Sequence, residues 1–341
     1  MVKGKKVSVR LITILFVLGL LVSGSFQGNP STVLAAESAP IGWAAYNALG
    51  QNGTTGGAGG TTVTVSTQAD LEKYAGASGK YIIYVGGTID ITPKGKFIQV
   101  ASDKTILGKA AGATLNYGGL QMKGTVANPV KNVIIRNLTI KDTYVEGDWD
   151  GKTQPWDGIN MEQAHHIWVD HCTISHHCDG ALDVVKNSNY VTVSWTKFEN
   201  HNKTLAIGTS DVDTAQTRVT IHHNWFKGVN QRNPRINNGE VHVFNNYYTD
   251  IGQQGGYVSA VEKGGELYFE SNYLSNCPKT LLRSDDTANI YEKNNVYVNS
   301  GTPATGGTVF NPATFYNYAC DSAANIPSIV ENGAGRGKIT F

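Results

Sequence analysis

From about residue 130 the chain keeps returning to one short phrase, and that recurrence constrains its fold more than any other feature. The phrase is a run of β-forming residues, an Asn or a substitute for it, and a second brief run. It stands at 133–140, 167–174, 191–198, 219–226, 241–248, 267–274 and 290–297. Its central positions, Asn137, His171, Trp195, Asn224, Asn246, Asn272 and Asn295, are 22 to 34 residues apart, a spacing of one supersecondary unit per repeat. Strands this short, rich in Val, Ile, Thr and aromatic residues, cannot bury their faces alone, so successive units must stack into a solenoid at about one coil per unit. Asn tolerates the left-handed backbone of a sharp bend between two strands. Five of the seven central positions are Asn, which predicts a ladder of amide hydrogen bonds along the stack. A leucine-rich repeat is the competing solenoid, but its leucine spacing is absent.

The part before residue 130 is less regular. Residues 53–60 are rich in Gly and Thr and read as a loop without the Gly-Lys-Ser/Thr ending of a phosphate-binding loop. Thr67 opens a short amphipathic stretch reaching Tyr74, a helix with Thr67 as its cap, placed to plug the open end of the solenoid. Residues 81–85 and 89–91 follow as the first coil, and the residues after about Thr302 read as an irregular C-terminal cover.

Lys3, Lys5, Lys6 and Arg10 precede an apolar run from Leu11 to Val22 and a polar stretch ending near Ala36, the pattern of a secretory signal peptide over 1–36. The run is short for a transmembrane helix of about 20 residues. The expectation is an exported chain whose residues 37–341 form one soluble domain, acting as a monomer. A net charge of +1 with 16% charged residues gives no broad field for nucleic acid or an anionic membrane, so an acidic substrate must be caught locally. Four cysteines, Cys172, Cys178, Cys277 and Cys320, are an even number in a chain expected to meet an oxidising compartment. Cys172 and Cys178 lie in strand-like text suited to small buried thiols; Cys277 with Cys320 is the favoured bridge, tying the last coil to the tail.

Oxygen ligands stand out among the polar residues: Asp157 after Trp156, then Asp179 and Asp183 about one coil later. Calcium takes several hard oxygen ligands, and stacked coils would bring these carboxylates together. Positions four apart on a strand share a face, so Asp179 and Asp183 can serve one ion. Taken singly, all three also read as solvated surface carboxylates. Lys203, Arg232 and Arg235 follow at corresponding places on later coils. Carboxylates on two coils and cations on the next two suit a calcium-bridged polyanion. The nine histidines include clusters at 165–166, 176–177 and 222–223, yet neither an HExxH helix nor paired CxxC elements mark a zinc site.

With these residues in order, the segment from about Asp157 to Tyr248 resembles the extracellular pectate lyases of polysaccharide lyase family one. The resemblance rests on 168–171, on 179–183, on 191–195, on Lys203 ahead of 207–211, on His222-His223-Asn224, on 231–235 and on 241–246. The opening 42–45 and the Gly-rich loop are similar to some bacterial members. The resemblance implies an all-β, right-handed, single-stranded parallel β-helix and a calcium-dependent eliminase acting on polygalacturonate in a groove along one side. Carried over position by position, it makes Asp157, Asp179 and Asp183 the calcium ligands, Lys203 a binder of the substrate carboxylate, and Arg232 the base that takes the C5 proton. Many relatives carry a second arginine five positions after the catalytic one. Here that position is Asn237, so either Arg235 takes over its contact with the uronate or one interaction is lost.

The C5 proton of a galacturonate is acidic only because the adjacent carboxylate can accept the developing charge, which a bound cation stabilises. An unperturbed guanidinium keeps its proton to above about pH 12, so an arginine base implies an alkaline optimum. A polygalacturonase would instead need paired carboxylates as acid and base, a reading that Asp179 and Asp183 leave open. A pectin lyase acting on methylated substrate fits the three aspartates less well. A non-catalytic β-helix that binds carbohydrate would also explain export and repeats, but not the Asp and Arg constellation.

Overall fold

Each repeat folds as a coil of three short parallel strands, because its apolar residues alternate and only stacking on the next coil covers them. The computed structural model describes Met1 and residues 37–109, 112–208 and 215–340; the expected leader over 1–36 lies outside the described residues but for Met1. Val33–Phe341 form one unit. Among the described residues, three parallel sheets of ten, nine and eight strands wind a β-solenoid of about 10 turns. One full coil is Ile159–Glu162, Ala164–Asp170 and Thr173–Ser175; the next is Gly180–Val185, Asn189–Ser194 and Lys197–Glu199.

Register between coils places like on like. Ile106, Ile135, Val169, Val193, Ile221, Val243 and Phe269 are successive partners across the ten-stranded sheet, and all seven are fully buried. Phe198, Phe226 and Tyr248 form a second internal column with ring centroids 5.1 and 4.7 Å apart. The dry columns are the hydrophobic core, and a side chain out of register would leave a void in two coils at once.

The amide ladder is present, shifted by one residue from the repeat alignment in the early coils. Asn224 N–H donates to Asn246 Oδ1 (2.9 Å), Asn246 N–H to Asn272 Oδ1 (2.8 Å) and Asn272 N–H to Asn295 Oδ1 (2.8 Å). On the preceding coils the ladder positions are Thr196 and Cys172, not Trp195 and His171: Thr196 N–H donates to Asn224 Oδ1 and Cys172 N–H to Thr196 Oγ1. The left-handed bend and the ladder are therefore adjacent positions. Asn137, His171, Trp195, His223, Asn245, Ser271 and Asn294 take the bend, with φ between 48 and 57° for the first two.

The helix Gln68–Gly76 starts at Thr67, whose Oγ1 accepts from Asp70 N–H, and buries Leu71 and Ala75 in the core. The first strand of the stack is Thr61–Val65, ahead of that helix and paired with Tyr81–Val85, so the coil expected to be first is second. The Gly-rich loop docks on the solenoid by donating Thr55 and Gly56 N–H to Asn132 Oδ1 at 2.7 and 2.8 Å. Just before it, Gly42 (φ 92°) lies where a Cβ would come within 2.2 Å of Thr220 Oγ1; Trp43 N–H donates to that same oxygen.

The C-terminal cover is more ordered than expected. Ile326–Gly333 is a helix whose Ile326 and Val330 pack against Trp225, Tyr247 and Tyr273 on the outer wall. All four cysteines are free, which corrects the expected Cys277–Cys320 bridge. Cys277 faces the interior among the core side chains, whereas Cys320 is exposed on the covering segment. Cys172 and Cys178 are buried thiols, as small hydrophobes in strand text should be. No described helix is long and apolar enough to cross a membrane.

Candidate active site

The eight-stranded sheet carries the polar constellation. Its strand Gly180–Val185 sends Leu182 and Val184 inward and leaves Asp183 half-buried on the outer face. In register on successive coils, Asn160, Asp183, Ala206 and Arg235 form one outer column, and Gly180, Lys203 and Gln231 a second. Stacking thus turns residues 75 positions apart in sequence into neighbours on one wall.

Asp157 precedes the strand Ile159–Glu162 and is buried. Its Oδ1 accepts from Gly180 N–H (2.7 Å) and its Oδ2 from Asn160 Nδ2 (2.9 Å). Burial, then the charges of Asp183 and Asp179, push its carboxyl well above the usual range. Asp183 Oδ1 accepts from Ala206 N–H at 3.2 Å. Desolvation and the Asp179 charge raise Asp183 to about 7, against the opposing pull of Arg232 and Lys203. Asp179 Oδ1 is 3.1 Å from Lys203 Nζ. Asp157 and Asp183 thus lie where a further positive charge would favour their ionised forms.

Their chemistry fits a hard divalent cation: all donors are oxygen, and burial followed by neighbouring carboxylate charge raises both Asp157 and Asp183. In the present side-chain geometry no three His, Cys, Asp or Glu groups among the described residues converge on one point. Asp179 is turned to Lys203, and both Asp157 oxygens hold protein donors.

Arg232 sits in the left-handed region (φ 61°), uncommon for a long side chain and held there by its neighbours. Leu205 N–H donates to Arg232 O (2.7 Å), and Asn233 N–H to Val258 O (2.7 Å). Its guanidinium is close enough to pull on both Asp183 and Tyr257. Arg235, on Arg235–Asn237, is half-exposed and ion-paired with Glu262. Asn237 is buried and donates from Nδ2 to Gly208 O (3.3 Å), so it faces the wall rather than the groove.

All six expected site residues lie on this one wall. Sequence reading missed the groups that hold them. A loop built on buried Asp148, whose carboxylate accepts from Lys152 N–H, Thr153 N–H, Thr153 Oγ1 and Gln154 N–H, brings the Asp150 carbonyl against Lys203 Nζ. Asn202 Nδ2 clamps the loop through Trp149 O (2.8 Å) and Asp150 Oδ1 (3.0 Å). The acidic, Gly-flanked run 147–151 just ahead of Asp157 was the available signal. Asn160, Tyr257 and Glu262 carried none, because each matters only through its register. The buried histidines His165, His166, His222 and His242 lie in the ten-stranded sheet, away from these carboxylates.

The chain as a whole resembles known proteins. The family described as pectate lyase matches residues 11–339. A pectate trisaccharide-lyase of Thermotoga sp. (strain RQ2) is 37% identical over 89% of this chain and 90% of its own; one of Bacillus licheniformis is 34% identical over 97% and 99%. Among solved structures, a pectate lyase from Bacillus sp. N165 in complex with trigalacturonate superposes with a TM-score of 0.73 and 27% identity, covering 87% of this chain and 99% of that one.

Proposed function

The chain belongs to the pectate lyase family and is a polysaccharide lyase, and from that premise we propose that it is exported and cleaves (1→4)-α-D-galacturonan by calcium-dependent β-elimination, releasing 4,5-unsaturated oligogalacturonates. The observation that carries this is that Asp157, Asp179, Asp183, Lys203 and Arg232 fall on four successive coils of one sheet. A similar chain has been solved with trigalacturonate, a fragment of the proposed substrate.

In this reading Asp157, Asp179 and Asp183 hold calcium, and Lys203 and Arg235 bind uronate carboxylates. Bound calcium supplies positive charge to the carboxylate next to the reacting carbon. Arg232 takes the proton from C5, the electron pair left behind becomes the C4–C5 double bond, and the C4–O bond breaks. The departing oxygen gains a proton from solvent, Arg232 returns the C5 proton to solvent, and no water is consumed. Lys203 stabilises the charge that builds on the carboxylate as C5 loses its proton. The Asp148 loop helps keep Lys203 at the carboxylates, its Asp150 carbonyl accepting from the same ammonium that pairs with Asp179.

One assay tests the reading: ultraviolet absorbance of the unsaturated end on polygalacturonate, with calcium and with chelator. Absorbance must rise with calcium and stop with chelator. Reducing ends formed without any absorbance would establish hydrolysis and overturn the proposal.

A further inference from the structure

The outer column that carries Asp183 and Arg235 continues toward the N-terminal coils as a row of uncharged amides. Gln99, Gln121, Asn160 and Asp183 are register partners on the strands Phe97–Gln99, Gly119–Lys123, Ile159–Glu162 and Gly180–Val185. Gln99 Nε2 donates to Gln121 Oε1 (2.9 Å), Gln121 Nε2 to Asn160 Oδ1 (3.1 Å), and Asn160 Nδ2 to Asp157 Oδ2 (2.9 Å). Every amide thus turns its N–H end toward the carboxylates. Gln99 is exposed and Gln121 half-exposed, so both have donor and acceptor capacity left for a ligand lying on the sheet.

Charge differs between the two directions of the wall. On the amide side the cations near the column are committed: Lys96 to Glu72 (2.7 Å), Lys123 and Lys186 to Glu162 (3.2 and 2.8 Å). Lys94 Nζ is taken by Tyr144 O at 2.6 Å. On the other side the cations belong to the columns themselves, Lys203 paired with Asp179, Arg235 with Glu262, and Arg232 acting on Asp183. Coils repeat at about 4.8 Å, so an extended polysaccharide that follows the groove meets a new coil with nearly every sugar.

We propose that Gln99 and Gln121 form substrate-binding subsites on the N-terminal side of the cleavage centre, reading the sugar hydroxyls and not the carboxylate, and therefore accepting methyl-esterified galacturonate. This rests on the polygalacturonate reading above. Hydroxyls are donor and acceptor at once, the partner that an amide row suits. A free uronate meets no cation there, so its methyl ester forfeits no ion pair.

The test measures kcat/KM of wild type, Q99A/Q121A and Q99K on polygalacturonate and on highly methyl-esterified pectin, with thermal melts to confirm folding. Losing both amides should lower kcat/KM about fivefold or more on both polymers, through KM. Q99K keeps a donor for Gln121 and adds a cation, so its preference for polygalacturonate over the esterified polymer should rise about fivefold. If folded Q99A/Q121A matches wild type on both polymers, or Q99K leaves the preference unchanged, the subsites are not there. Wild type that forms no unsaturated product on either polymer would instead overturn the reaction itself, a separate failure.

Discussion

Asp179 Oδ1 and Lys203 Nζ lie 3.1 Å apart on adjacent coils, so a residue assigned to bind metal and one assigned to bind substrate hold each other in the free protein. The pair is partly exposed, and its own contribution to stability is small. Its interest is competition: Lys203 occupies the carboxylate that a cation would need.

Lys203→Met should therefore raise KM for polygalacturonate about tenfold, the loss of one charge-assisted contact, while calcium binding followed by calorimetry does not weaken. Loss of calcium affinity in a folded variant would show that Lys203 positions Asp179 instead of competing for it.

Arg232→Ala removes the proposed base. The expected result is a fall in kcat of about 10²- to 10⁴-fold at every pH, with calcium affinity and melting temperature close to wild type. Near-normal turnover at any pH would exclude Arg232 as the base, whatever its closeness to Asp183.

Asn246→Ala should be among the most damaging changes outside the groove. The buried amide donates to Ile221 O (2.9 Å) and accepts from Asn224 N–H (2.9 Å), with Asn272 on its other side. Truncation leaves donors and carbonyls of three coils unpaired, a cost of about 3 kcal/mol or more, read as a lower urea midpoint. Activity of the fraction that remains folded should be unchanged.

Acid should act against the fold through its buried imidazoles. Burial, then the neighbouring His166 and Lys131, depress His165 to about 4, and burial drives His222 well below its ordinary value. Between pH about 6.5 and 4 the unfolded chain binds protons that the folded imidazoles refuse, so stability rises with pH in that window. For His165 the change amounts to about 3 kcal/mol, intact above pH 6.5 and lost as the native ring protonates. The raised carboxyls of Asp157 and Asp183 act in the opposite direction, so the test is the difference: between pH 8 and 4.5 the urea midpoint of His165→Asn should fall less than that of wild type.

Much of this was written in the chain. The recurring phrase determined a stacked solenoid because strands of three to seven residues bury nothing singly, and the Asn positions announced an amide ladder. Thr67 announced its helix through a local hydrogen bond to Asp70 N–H. Asp157, Asp179, Asp183, Lys203, Arg232 and Arg235 were recognisable as residue types at coil-like intervals.

Tertiary structure decided whatever depended on register between coils. The intervals from Gly180 to Lys203 and from Lys203 to Gln231 differ, because the loops between strands differ in length, and only interstrand hydrogen bonds fix which residues face each other. That is why the ladder passes through Thr196 and Cys172 instead of Trp195 and His171, why Cys277 packs in the core while Cys320 is exposed, and why Asn160 and Gln121 come to extend the Asp183 column. A sequence records the order of side chains along each strand; the face they share with the next coil is set when the backbone groups pair.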